Sequence, residues 1–109
     1  MILEKYCEAI NKADAEMMAS LFAEECYFSA GGGRKLGAPD HVCKSRQEVL
    51  EYFKRNFSAY KMTAEIKRVN AASMEYDIII GNRDWVSPCV GLVTLNKDGL
   101  ITELIVRPR

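Results

Sequence analysis

Three apolar runs separated by two turn signals lie between Met74 and Val106, and this stretch constrains the fold more than any other. Met74, Tyr76, Ile78 and Ile80 alternate with Glu75, Asp77 and Ile79, the pattern of a strand with one buried face. Gly81-Asn82 supplies a tight turn, with glycine free to take its first central position. The run from Asp84 to Leu95 is apolar on both sides, with Trp85, Cys89 and Val93 on one and Val86, Val90 and Leu92 on the other. Asp98-Gly99 is the strongest hairpin signal in the chain, and Leu100 to Val106 closes the set. Three adjacent antiparallel strands are the scaffold to which the rest must be fitted.

A chain of 109 residues makes one domain with a real core, here residues 1–109 as a unit. Fifteen basic and fifteen acidic residues cancel, which argues against a general nucleic-acid binder. Cys7, Cys26, Cys43 and Cys89 form no CxxC pair and there is no histidine cluster, so no metal site is expected. No phosphate-loop or dinucleotide pattern is present, and no cofactor is expected. No apolar run approaches the roughly 20 residues of a membrane span. The opening Met1-Ile2-Leu3-Glu4 carries no leader pattern, and the expectation is a reduced, cytoplasmic protein.

Along the chain, Ile2, Leu3, Tyr6, Ile10 and Ala13 fall on one side of a first helix. Asp14 is placed to cap a short second one, whose Met17, Met18, Leu21 and Phe22 continue the burial. Cys26 to Ala30 reads as a short strand, after which Gly31-Gly32-Gly33 opens a loop running to Lys44 and holding His41. Ser45-Arg46-Gln47-Glu48 is a capping box, and the helix it opens turns Val49, Leu50, Phe53 and Phe57 inward. Lys61 to Val69 is then a strand. Three helices gathered on one side of an antiparallel sheet give an α+β domain. The other face, with Val86, Val90 and Leu92 and with Ile79 and Ile101 nearby, is too apolar for water and predicts a homodimer through the convex sheet face.

Tyr6-Cys7-Glu8-Ala9-Ile10-Asn11-Lys12-Ala13-Asp14, Leu21-Phe22-Ala23-Glu24-Glu25, the helix opened at Ser45, and Asn96-Lys97-Asp98-Gly99-Leu100-Ile101 occur in an order that resembles the nuclear-transport-factor-2-like superfamily, which includes ketosteroid isomerase and SnoaL-like cyclases. The resemblance implies a cystatin-like fold: a cone-shaped curved antiparallel sheet packed against three N-terminal helices, with an apolar cavity at its wide end. It also implies that Tyr6 matches the oxyanion-hole tyrosine of ketosteroid isomerase. The positions of that enzyme's base and second oxyanion donor hold Ala30 and Gly91, whose side chains neither donate nor take a proton. Steroid isomerisation by that mechanism is therefore rejected.

The expected cavity-facing set combines Phe28, Ala30, Tyr76, Ile78 and Trp85 with Ser87, Cys89, Gly91 and Leu104, joined by Met74 and Ile80. The helices add Tyr6, Phe53 and Phe57. This lining suits a small apolar or aromatic molecule held by a few hydroxyl contacts, and it equally describes a filled aromatic core. The catalytic role is unassigned, with Tyr6 and His41 as candidates. Arg34 and Lys35 are placed to guide an anionic ligand, and the glycine-rich crossing could serve as a lid. Two functions stay open: a small-molecule-binding protein of the SnoaL-like type, with isomerase, lyase or cyclase activity implied by the resemblance, and a non-catalytic dimerisation or protein-interaction module.

Overall fold

The computed structural model describes residues 1–31 and 39–109. Three helices and six strands follow in the order α1 (Ile2–Asn11), α2 (Ala15–Ser20), β1 (Phe22–Ala30), β2 (His41–Ser45), α3 (Arg46–Ala59), β3 (Met62–Val69), β4 (Ser73–Ile80), β5 (Trp85–Leu95) and β6 (Ile101–Pro108). The strands form one sheet in the order β2-β1-β6-β5-β4-β3.

The α+β class with three helices holds, but the expected cone of antiparallel strands is corrected. The sheet is open, with β2 and β3 as its two edges, and it is not strongly curled. It is also mixed, because β1 and β6 run parallel, with Phe28 opposite Leu104 and Ala30 opposite Val106. The physical reason lies in connectivity. The β3–β6 meander is written in local turns that force antiparallel neighbours, whereas β1 and β6 come from opposite ends of the chain and no turn fixes their relative direction.

Two further differences are local. β1 begins at Phe22 rather than Cys26, and His41 lies on the edge strand β2 rather than in a loop. β2 pairs with β1 through Phe28–Cys43 and Ala30–His41, a long-range ladder without a sequence signature of its own. The loop from Gly31 to Lys44 is shortened accordingly. Gly32, Gly33, Arg34 and Lys35, with the suggested lid and anion-guiding role, lie outside the described residues.

The expected caps form. Asp14 Oδ1 accepts from the Met17 amide at 2.9 Å, and Ser45 Oγ accepts from the Glu48 amide at 3.1 Å. Glu48 Oε1 reaches one residue further back than the usual box and accepts from the Lys44 amide at 2.9 Å. The β4–β5 connection uses Gly81, Asn82, Arg83 and Asp84, with Ile80 paired to Trp85. Gly81 and Arg83 both sit at positive φ, 66° and 69°. At the β5–β6 turn, Gly99 has φ 79° and Asn96 Oδ1 accepts from the Asp98 and Leu100 amides.

The core lies between the helices and one face of the sheet. Leu3, Tyr6, Cys7 and Ile10 of α1 and Val49 and Phe53 of α3 meet Phe22, Phe28, Met74, Tyr76 and Leu104, all buried. Each large apolar side chain so placed contributes roughly 1.5–3 kcal/mol relative to exposure. Asn11 ties α1 to the edge strand: its Oδ1 accepts from the Ala64 amide at 2.7 Å and its Nδ2 donates to the Ala64 carbonyl at 3.2 Å. That clamp fixes the helix carrying Tyr6 against the sheet.

On the opposite face, Val86, Leu92, Tyr27 and Val42 are exposed, Leu92 at 52%. Ile79 is buried but lies on this face, opposite Val86 on the neighbouring strand, whereas Ile101 is buried and does not belong to the patch. Ile101 faces the core because the β5–β6 register shifts between Thr94 and Leu95. Two ion-paired clusters border the patch: Arg109 with Asp77 at 2.8 Å, and Arg107 with Asp40 at 3.3 Å and with Ser29 Oγ at 3.0 Å.

Candidate functional site

Between α1, α3 and the inner sheet face lies a cavity of about 510 Å³, large enough for a small organic molecule. Its floor comes from α1 and β4. Tyr6 points from the helix to the sheet and meets Tyr76, the two hydroxyl oxygens lying 3.0 Å apart in a buried pair. Their rings are edge-to-face, with centroids at 5.7 Å, and Phe53 makes a second edge contact with Tyr6 at 6.4 Å. Burial raises the pKa of both hydroxyls above the usual tyrosine range, so both keep their protons at any physiological pH.

A pair of hydroxyls carries two protons, and their mutual hydrogen bond uses one. Among the described residues no hydrogen-bond acceptor other than its partner is found for either Tyr6 or Tyr76. One of the two protons is therefore not used within the pair. The rest of the lining is apolar or neutral: Phe28, Ala30, Ile78, Ile80 and Val106 from the strands, Ile10 and Met62 at the flank. Among the described lining residues there is no Asp, Glu, Lys or Arg.

The rim is more polar. Trp85 is 42% exposed and closes one side, with Ser87 and Cys89 following it down β5. The Cys89 thiol lies 3.4 Å from the Ser87 carbonyl oxygen. Across the opening, His41 of β2 stacks on Tyr52 of α3, centroids 4.3 Å apart at 27°. Asn56, one turn beyond Tyr52, and Tyr60, just past the helix end, complete that side.

Of the residues expected at the site, Tyr6, Phe28, Ala30, Phe53, Tyr76, Ile78, Trp85, Ser87 and Cys89 come together around this cavity, with His41 at its edge. Phe57, Gly91, Leu104 and Met74 do not line it. Phe57 packs against Phe53 at 5.4 Å. Gly91 lies beneath the Tyr76 ring, where an added Cβ would meet Tyr76 Cε1 at 3.5 Å and Leu104 Cδ1 at 3.6 Å. Leu104 and Met74 are in the packed core.

Tyr52, Asn56 and Tyr60 were not expected. They lie at i, i+4 and i+8, one position from the apolar Val49–Phe53–Phe57 stripe. That second row was the available signal. Among the described residues no three His, Cys, Asp or Glu side chains converge, and no helix is long and apolar enough to cross a membrane.

Several solved structures share this architecture. SalBIII, described as an epoxide hydrolase/cyclase-like enzyme of pyran ring formation in polyether salinomycin, superposes with a TM-score of 0.78 at 20% identity, over 99% of this chain and 88% of its own. A protein of unknown function with a cystatin-like fold from Methylobium petroleophilum gives 0.79 at 18% identity, over 98% and 72%. A candidate polyketide cyclase from Sinorhizobium meliloti gives 0.75 at 16%, over 97% and 93%. At these identities the likeness is one of fold. No match is found among curated proteins. The model of the SnoaL-like domain matches residues 3–104, nearly the whole chain. The chain therefore belongs to the SnoaL-like family of the nuclear-transport-factor-2-like superfamily.

Proposed function

We propose that the protein binds a small, uncharged, largely aromatic molecule in the cavity between α1, α3 and the sheet. The bound molecule would present a carbonyl or ether oxygen to the Tyr6–Tyr76 pair. The observation that carries this reading is the hydroxyl pair itself, with two donors and one mutual bond in a lining that holds no Asp, Glu, Lys or Arg among the described residues. A buried O–H without a partner costs about 1–3 kcal/mol, and a ligand oxygen would recover that cost. Any isomerase, lyase or cyclase step would draw on Tyr6 as a neutral donor and on the His41 imidazole at the rim. Titration with α-tetralone, a neutral bicyclic aromatic ketone, followed by Trp85 fluorescence, tests the binding. Saturable quenching that is weakened by Tyr6→Phe is expected. A flat signal up to the solubility limit contradicts it.

The reading includes self-association through the outer sheet face, in a cytoplasmic setting. Val86 and Leu92 are exposed there with Tyr27 and Val42. The bordering Arg109–Asp77 and Arg107–Asp40 clusters carry both signs of charge, which suits a two-fold contact in which one copy meets another.

A further inference from the structure

The α3 side of the cavity holds a second polar feature. Asn56 lines the cavity from α3, and its Nδ2 donates to the Tyr52 carbonyl at 2.8 Å. A carbonyl oxygen only accepts, so this bond fixes which end of the amide is nitrogen and leaves Oδ1 as the acceptor end. Among the described residues no hydrogen-bond donor to Asn56 Oδ1 is found. The one cavity thus holds a donor in the Tyr6–Tyr76 pair and an acceptor in Asn56, in a lining that includes the Phe28 and Phe53 rings.

Resting on the binding reading above, we infer that Asn56 is a specificity-determining residue. Its Oδ1 accepts a hydrogen bond from a hydroxyl on the ligand. The favoured guest is then an aromatic ketone that also carries a hydroxyl away from its carbonyl, in preference to the bare ketone. An amide is suited to this role because it is neutral, so it adds an acceptor without bringing charge into a wall that holds none. A site that pairs a ligand hydroxyl discriminates strongly against the analogue lacking it, since its own polar group is then left unpaired.

The test compares binding of three probe classes to the full chain: tetralin, α-tetralone, and hydroxy-α-tetralones with the hydroxyl at each ring position remote from the carbonyl. Trp85 fluorescence and calorimetry give the affinities. At least one hydroxy isomer is expected to bind about tenfold more tightly than α-tetralone. In Asn56→Leu the affinity ratio of that hydroxy isomer to α-tetralone falls to about one, as expected for loss of one hydrogen bond. Tetralin and α-tetralone binding by the variant shows that its cavity is intact. In Tyr6→Phe both ketone classes weaken and tetralin does not. If α-tetralone binds but no hydroxy isomer gains, or the gain survives in Asn56→Leu, the role of Asn56 is overturned and the binding reading stands. If no probe binds wild type, both fall.

Discussion

The hydroxyls of Tyr6 on α1 and Tyr76 on β4, separated by 70 positions in sequence, meet at 3.0 Å in a buried pair. The contact ties the first helix to the centre of the meander and leaves one proton unused within the pair. Removing either hydroxyl strands the other. Tyr6→Phe and Tyr76→Phe are each expected to lose about 1 kcal/mol of unfolding free energy. The double variant should lose less than the sum, with a coupling of about 0.5–1.5 kcal/mol. Denaturant unfolding of the four proteins measures this, and strict additivity would mean that the pair does not form.

Asn11 makes the clamp that positions Tyr6, bonding both the amide and the carbonyl of Ala64. Ala64 is buried, so Asn11→Ala leaves its amide without a partner. A loss of about 1–3 kcal/mol is expected, together with faster hydrogen exchange at Ala64. Asn11→Asp keeps an acceptor for the amide and should recover part of the loss. Equal melting of all three proteins would remove the clamp from this account.

What the sequence made legible followed from local rules. Asp98-Gly99 announced its turn, and Asp14 and Ser45 announced their helix starts, because turns and caps are set by neighbouring residues. The parallel β1–β6 pairing and the short edge strand β2 were not legible. Both rest on ladders between distant segments, and Val42 and Cys43 are too short an apolar run to stand out. Much of the cavity lining could be read from strand alternation on β4 and β5. Tyr52 and Asn56 could not, since the inward helix stripe was assigned to Val49, Leu50, Phe53 and Phe57. The Tyr6–Tyr76 bond was hidden by sequence distance, although both residues were placed on the correct face.

Stability should fall on the alkaline side. Burial, reinforced by nearby Glu4, pushes the Cys7 thiol up to about 12. Burial together with Glu48 pushes Cys43 up to about 11. Burial moves Tyr6 and Tyr76 upward as well. In the unfolded chain these groups lose protons near their ordinary values, about 8.5 for cysteine and about 10 for tyrosine. Above those values the unfolded chain binds fewer protons than the folded one, so raising the pH favours unfolding. The contribution is complete below about pH 8 and declines from about pH 9 up through the folded values. Melting temperature should hold steady from pH 7 to 8 and drop progressively to pH 10.5. A level profile over that range contradicts the burial of these four groups.

Ala30 lines the cavity on β1 beside Phe28. In an open cavity, Ala30→Leu places its added carbons in unoccupied space, so α-tetralone binding should weaken at least fivefold with little change in melting. In a packed interior the same carbons overpack, and about 1–3 kcal/mol of stability would be lost instead. Thermal unfolding read beside the ligand titration separates the two outcomes. Strong destabilisation with no effect on binding would remove Ala30 from the wall.

The last prediction concerns the outer face. Leu92 is the most exposed apolar side chain of β5, at 52%, and Val86 on the same face is exposed at 39%. Leu92 pairs with Ser73 on one side and Ile105 on the other, which places it well inside the sheet rather than at an edge. An apolar group so placed loses its contact with water only if a second surface covers it. A two-fold contact would set Leu92 of one copy near Leu92 of the other, so one substitution acts twice. Leu92→Glu should therefore convert a dimer at micromolar concentration into a monomer, through burial of a charge next to its own symmetry mate. Ser73→Lys, on the neighbouring strand, should restore part of the association of Leu92→Glu by supplying an opposite charge. Sedimentation velocity decides the matter: a wild-type monomer of 12.3 kDa at those concentrations ends the proposal, whatever the variants do.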